Sequence, residues 1–448
     1  MSSELSRRAG AARPAAPVRL IHLGLGDFFR AHQAWYTEHA PDGEEWGFAA
    51  FGGHEASDRL AAQQGLYTLI TRSAHGDRFE VIATVSEAWP ATDHDALLRL
   101  FRAPEVAAVT ITELGARDHP DVREDVAALR ADPAAPVRTT RGRLLAGLAA
   151  RRRADAGPVT LVACDHTAGN GAILSRLLYE MADEVNQELT GWLDENVSVV
   201  ATVADRVTPH TGPSGLRAVA EATGRDDRVP VTAEPYAEWV LAGRFPAGRP
   251  RWEDAGALLT ADLTPYEHRK QWLVNGSCSL LAYAGSIREH ATLAEAIGDD
   301  ACRGWLERWW SEAGRHLGRA AAGLDAYRQA LLERIANPRI RHSLARIAAD
   351  GSRKLPERVL PVLRAERAAG RVPEGAALIL AAWISHLRGH GAPVSDPRAA
   401  ELTVLAAGPL AEGAHRVLDA LDPELGADDT LVAAVRDAAT RFDRVRVS

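Results

Sequence analysis

The chain has 448 residues, 25% of them charged and 46% hydrophobic, and its 52 basic against 60 acidic side chains leave a net charge of −8. The signs are interspersed, which excludes a protein built to coat nucleic acid or an anionic membrane, and no stretch approaches the ~18 consecutive apolar residues of a membrane span. Three cysteines, Cys164, Cys278 and Cys302, are too few for a disulfide framework and fit a reducing cytoplasm.

In chain order, residues 1–17 are rich in Ala, Arg and Ser without an apolar run, and read as a disordered tail, not a signal peptide. Val18–Leu23 is a short apolar strand ending in Gly24-Leu25-Gly26, followed by a helical stretch from Ala31. Further buried-strand candidates are 47–51, 79–85, 107–112, 159–164 and 197–203, with Ala/Leu/Arg-rich helical segments between several of them. That alternation points to βαβ units and a largely parallel sheet. Loop signals cluster at 131–138 and 245–250. Beyond Asp262 the texture changes to helical spacing at 272–287, 301–334 and 375–387. Thr264-Pro265-Tyr266-Glu267 has the form of a helix start. The expected organisation is an α/β domain over 18–262 and a mostly helical one over 263–448.

The two glycines of Gly24-Leu25-Gly26 suit a tight turn that lets backbone N–H groups approach a pyrophosphate. Phe29 stands where a third glycine is expected and Arg30 follows it. A plain strand-to-helix turn explains the glycines equally well. At the end of the second strand the chain offers Glu55 for a ribose and no immediate Arg, which favours NAD and leaves NADP open.

Of the basic residues 50 are Arg and two are Lys, Lys270 and Lys354. A GC-rich coding sequence drifts from Lys to Arg wherever either serves, so a remaining Lys marks a place where only an amine, able to lose its proton, will do. On a regular helix of about 100° per residue, Cys278 lies roughly 80° and Asn275 roughly 140° round from Lys270. Lys270 and Cys278 then share a face, and Asn275 reaches it if the helix bends near Gly276. A desolvated Lys can serve as general acid–base and an Asn amide can donate to a developing alkoxide. A solvated Lys and an Asn marking a kink fit the spacing too.

Several motifs occur in order: Gly24 to Gln33, Cys164-Asp165-His166 with Asn170-Gly171, Asp205 to Pro209, Glu234-Pro235 with Trp239, Pro265 to Glu267, Lys270 to Ser277, and Asp350 to Lys354. Together they resemble the polyol-specific long-chain dehydrogenases, the mannitol dehydrogenase and fructuronate reductase family, over about residues 18 to 356. The resemblance implies a Rossmann-type domain, a helical substrate domain, a monomer, and metal-independent hydride transfer between NAD(P) and a sugar-like small molecule. It assigns Lys270 as acid–base, Asn275 as an oxyanion donor, and Asp205, Cys278, Arg346 and Lys354 to the substrate, for its hydroxyls or an anionic group. It assigns Gly24, Gly26, Phe28, Phe29, Arg30, Glu113 and Asp165 to the cofactor.

Two departures stand out. His166 replaces the family's second oxyanion Asn, which an imidazole N–H can still imitate, and Cys278 replaces a His, leaving a smaller and more apolar wall. The expected substrate is therefore a polyol, a ketose or a sugar-acid-like relative of one. Two alternatives remain at this stage: a non-catalytic nucleotide-binding sensor or scaffold, and a metal-dependent variant using His166, Cys278 and Asp205.

Overall fold

The structure, a computed structural model, describes residues 3–10, 12–112, 119–318 and 323–443. The chain divides into two compact units, Met1–Leu263 and Thr264–Ser448, one residue from the expected boundary.

The N-terminal unit is built on strands β1 (Val18–Leu23), β2 (Gly47–Gly52), β3 (Tyr67–Ser73), β4 (Gly76–Ile82), β5 (Val85–Pro90), β6 (Ala108–Ile111), β7 (Val159–Ala163), β8 (Val197–Asp205), β9 (Val231–Ala233), β10 (Glu238–Ala242) and β11 (Leu258–Leu259). One sheet runs β11-β10-β8-β7-β6-β1-β2-β5. From β5 to β8 all pairs are parallel, and β10 adds antiparallel to β8. The six parallel strands are the doubly wound arrangement of a Rossmann-type domain. Its strands are buried on both faces, Phe48, Ala49 and Ala50 being fully inaccessible, which is why they read as continuous apolar runs instead of alternating ones.

Two sequence expectations are corrected. The single strand expected at 79–85 is the end of one strand and the start of another: β4 forms a hairpin with β3 outside the main sheet, and β5 enters the sheet beside β2. Both pieces are apolar at their junction, so periodicity does not separate them. The tail expected at 1–17 is tied down. Leu5 is fully buried with Leu66 and Ala83, Ser3–Glu4 pairs with Arg225–Asp226, and Arg7 donates to the carbonyls of Gln64 (2.9 Å) and Ala83 (2.6 Å). One leucine and one arginine anchor it, too little to show against an Ala/Arg-rich background.

The second unit is helical. Its centre is the helix Glu374–Leu387, buried along its whole length from Gly375, which packs on Gly276–Ile287, Asp300–Gly314 and Asp429–Asp443. A helix apolar all round belongs in the middle of a core. The helical stretch expected at 301–334 is two helices, Asp300–Gly314 and Leu324–Ile335. Among the described residues no helix is long and apolar enough to cross a membrane.

Candidate active site

In the N-terminal unit the loops after β1, β7 and β8 lie at the carboxyl end of the parallel sheet, where strand order reverses between β1 and β6. That is where such sheets take their ligands. Gly24 has φ +115°, and a Cβ there would stand 2.2 Å from Thr112 Oγ1, so only glycine makes this turn. Its N–H and that of Leu25 donate to the Phe51 carbonyl at 3.0 and 2.9 Å, fixing the turn to β2. A Cβ on Gly26 would meet nothing closer than 3.8 Å. The short helix Asp27–Ala31 begins there without a side-chain cap, and its first N–H groups suit an anion. A pyrophosphate fits this cradle. Beneath it, His22 bridges Thr110 Oγ1 (2.7 Å) and the Gly24 carbonyl (2.8 Å), and burial pushes its pKa down to about 3, so it is a neutral strut.

Not every residue assigned to the cofactor is free to touch it. Phe29 is fully buried and stacks on His22 with ring centroids 3.7 Å apart. The Arg30 guanidinium is committed to Asp27 (2.6 Å) and the Val229 carbonyl (2.5 Å). Both side chains brace the turn from inside, so what these residues can offer a cofactor is the backbone of the helix start. Phe28 is half-buried and stacks on His32, while His166, exposed on the loop after β7, meets its ring edge-on at 4.8 Å. Asp165 accepts from the Thr167 N–H at 3.0 Å. The buried Asn170 ties this loop to β8, donating to the carbonyls of Asp165 (3.2 Å) and Thr202 (2.8 Å). Asp205 ends β8, 6% exposed. Glu113 lies outside the described residues.

In the helical unit, Lys270 is 8% exposed and opens a π-helical turn, Lys270–Asn275, set between the α-helices Thr264–Arg269 and Gly276–Ile287. This corrects the regular-helix geometry expected above. A wider i→i+5 turn advances fewer degrees per residue, so it brings both Asn275 and Cys278 round towards Lys270, with no bend at Gly276 needed. The turn is held from outside. Trp309 Nε1 donates to the Trp272 carbonyl at 2.8 Å, and Trp310 Nε1 donates to Ser277 Oγ at 2.7 Å and, more weakly, to the Leu273 carbonyl. Ser277 and Ser279 hydroxyls bond back to the Leu273 and Asn275 carbonyls. These donors satisfy carbonyls displaced from the α-helical ladder. A Cβ on Gly276 would lie 2.8 Å from Trp309 Cζ2, so this glycine admits the indole. Asn275 Nδ2 donates to Gln271 Oε1 at 2.7 Å, fixing the amide.

Residues 18–254 match the mannitol dehydrogenase Rossmann domain and residues 262–442 the mannitol dehydrogenase C-terminal domain. The chain belongs to the mannitol dehydrogenase family. It is 36% identical over 397 residues to D-arabinitol 4-dehydrogenase of Ralstonia nicotianae, covering 84% of each chain. It is 31% identical over 427 residues to D-mannonate oxidoreductase of Escherichia coli, covering 89% of this chain and 86% of the relative. The solved structure of Pseudomonas fluorescens mannitol 2-dehydrogenase, a ternary complex with NAD and D-mannitol, is similar with a TM-score of 0.78 at 29% identity, covering 98% of this chain and 94% of that one.

Of the family's cationic positions, Lys354 donates to the carbonyls of Ala349 (2.6 Å) and Ile347 (3.4 Å), and Arg346 is exposed. Gln271, Trp309, Trp310 and Arg358 were missed. The first and last carry a faint signal, each standing four residues along a helix from a suspected site residue; the tryptophans carry none. Among the described residues no group of three or more His, Cys, Asp or Glu side chains is placed to hold a metal.

Proposed function

We propose that this chain is an NAD-dependent oxidoreductase of polyols, ketoses or sugar acids, working as a cytoplasmic monomer without nucleic-acid or membrane partners. The buried Lys270 at the head of a π-helical turn that closes on Asn275 carries the reading. The names of the relatives, dehydrogenases and oxidoreductases spanning both units, support catalysis over a sensor or scaffold.

The Gly24–Gly26 cradle would hold NAD, whose nicotinamide would supply the hydride acceptor for oxidation and the hydride donor for reduction. In oxidation the substrate hydroxyl gives its proton to the neutral amine of Lys270 as its C–H electron pair leaves as hydride, and a carbonyl forms. Asn275 Nδ2 donates to the developing oxyanion, and His166 is assigned the second donor. In reduction Lys270 returns the proton. Asp205, Arg346 and Lys354 are assigned to the substrate's remaining polar groups.

The test is Lys270→Arg. A guanidinium stays protonated and cannot take the hydroxyl proton, so turnover should disappear while NAD still binds, read by NADH formation and by calorimetric titration with NAD. Activity within a few-fold of the parent would remove Lys270 from the proton transfer.

A further inference from the structure

The helix Gly351–Arg358 carries two cations four residues apart, Lys354 and Arg358. Their surroundings differ. Lys354 gives its ammonium to backbone carbonyls, with Asp350 and Asp396 as the carboxylates that act on it. Asp396 is itself held by the Ser352 N–H (2.8 Å) and hydroxyl (2.6 Å).

Arg358 instead meets the helix that follows the π-turn. Its Nη1 donates to Ser279 Oγ at 3.1 Å, and that hydroxyl donates to the Asn275 carbonyl at 3.1 Å. A guanidinium has five N–H donors; among the described residues this hydroxyl is the one acceptor it has, and it makes no ion pair. The groups that act on its charge are the Cys278 thiol, the Tyr283 hydroxyl and its chain neighbour Glu357. Burial disfavours its charged form, a cost that an incoming anion would reverse. Cys278 precedes Ser279 on the same helix and is half-buried. A cation with spare donors, bonded to a hydroxyl one helical turn from Asn275, suits a planar anion.

We propose that Arg358 determines specificity by binding a carboxylate of the substrate with its spare donors, so that this chain acts on a sugar acid in preference to the corresponding neutral polyol. The inference rests on the reading of Lys270 and Asn275 given above and names the substrate class for that same site.

Two matched substrate pairs test it with the full-length protein and NAD: D-mannonate against D-mannitol, and D-arabinonate against D-arabinitol, each pair differing by a carboxylate in place of a terminal CH2OH. The ratio of kcat/KM for acid over polyol should exceed about ten-fold in at least one pair. Arg358→Gln should collapse that ratio on the order of 10²-fold, chiefly through KM of the acid. Arg358→Lys, which keeps the charge and loses the fork, should fall between and serves as the test if the Gln variant folds poorly. A parent that prefers the polyol in both pairs, or variants that lose equally on acid and polyol, overturns the carboxylate assignment while turnover that depends on Lys270 leaves the proposed function standing. No NAD-dependent turnover of any of the four overturns both.

Discussion

Asn275 has two amide N–H groups, and Gln271 Oε1 takes one of them at 2.7 Å, which leaves one directed by a fixed amide plane. A donor held this way costs no reorganisation when charge develops on the substrate oxygen, and such donors carry a large share of transition-state stabilisation. Asn275→Ala should therefore lower kcat by about 10² to 10³-fold with a small change in KM. Steady-state kinetics on whichever substrate the parent prefers would check it, and an unchanged kcat would place the oxyanion elsewhere. Both lysines were legible because Arg dominates the basic residues of this chain, 50 to two. The same background hid Arg358, whose four-residue spacing from Lys354 is a faint signal on an Arg-rich helix until its partners are known.

The proposed chemistry rests on the π-turn, and nothing in the local sequence announces it. Gly276, Ser277 and Ser279 weaken α-helical preference, but the decisive donors come from Trp309 and Trp310, more than thirty residues on. A helical period counted along residues 267–278 therefore gives the right helix and the wrong azimuth for Asn275. Trp309→Phe keeps the ring and removes the N–H that serves the buried Trp272 carbonyl. The cost should be about 1–3 kcal/mol of stability, the usual price of an unsatisfied buried group, together with a fall of roughly ten-fold or more in kcat and an unchanged affinity for NAD. Urea denaturation, turnover and NAD titration separate these effects. Lost stability with kcat intact would show that the indole supports the core without setting the register of Lys270 and Asn275.

At the scale of the whole molecule the two-unit architecture was readable because its parts differ in texture. Parallel strands buried on both faces give apolar runs such as residues 47–51, and helices of a layered core give 3.6-residue spacing such as Cys302, Leu306, Trp309, Trp310 and Ala313. The strands β10 and β11 at one end of the sheet and the hairpin β3–β4 were not readable, since short strands beside Gly and Pro look like loop until their partners are in place. Nor were the polar anchors of the helical core. Glu312, on the helix that carries Trp309 and Trp310, accepts from the N–H groups of Gly375 (2.8 Å) and Ala376 (3.0 Å) at the start of the central helix. Near it, the fully buried Glu366 gathers Arg315 (2.7 Å) and His316 (2.5 Å) from the end of one helix and Arg371 (2.8 Å) from the loop after its own helix. These partners hold the Glu366 carboxyl well below the usual carboxylate range. Because the folded state favours its ionised form, its contribution is present above the unfolded-state value of about 4.3 and drains away as pH falls towards the folded-state value. Glu366→Gln should cost about 3 kcal/mol at neutral pH, the lower end for breaking a buried pair, because the Arg315 and Arg371 side chains are 44% and 45% exposed and can rehydrate. The difference between parent and variant, measured by urea denaturation at pH 7, 5, 4 and 3, should hold between pH 7 and 5 and shrink below about 4.3. A difference that stays constant over that range would mean that Glu366 contributes packing and neutral hydrogen bonds, and that its charge does not hold these segments together.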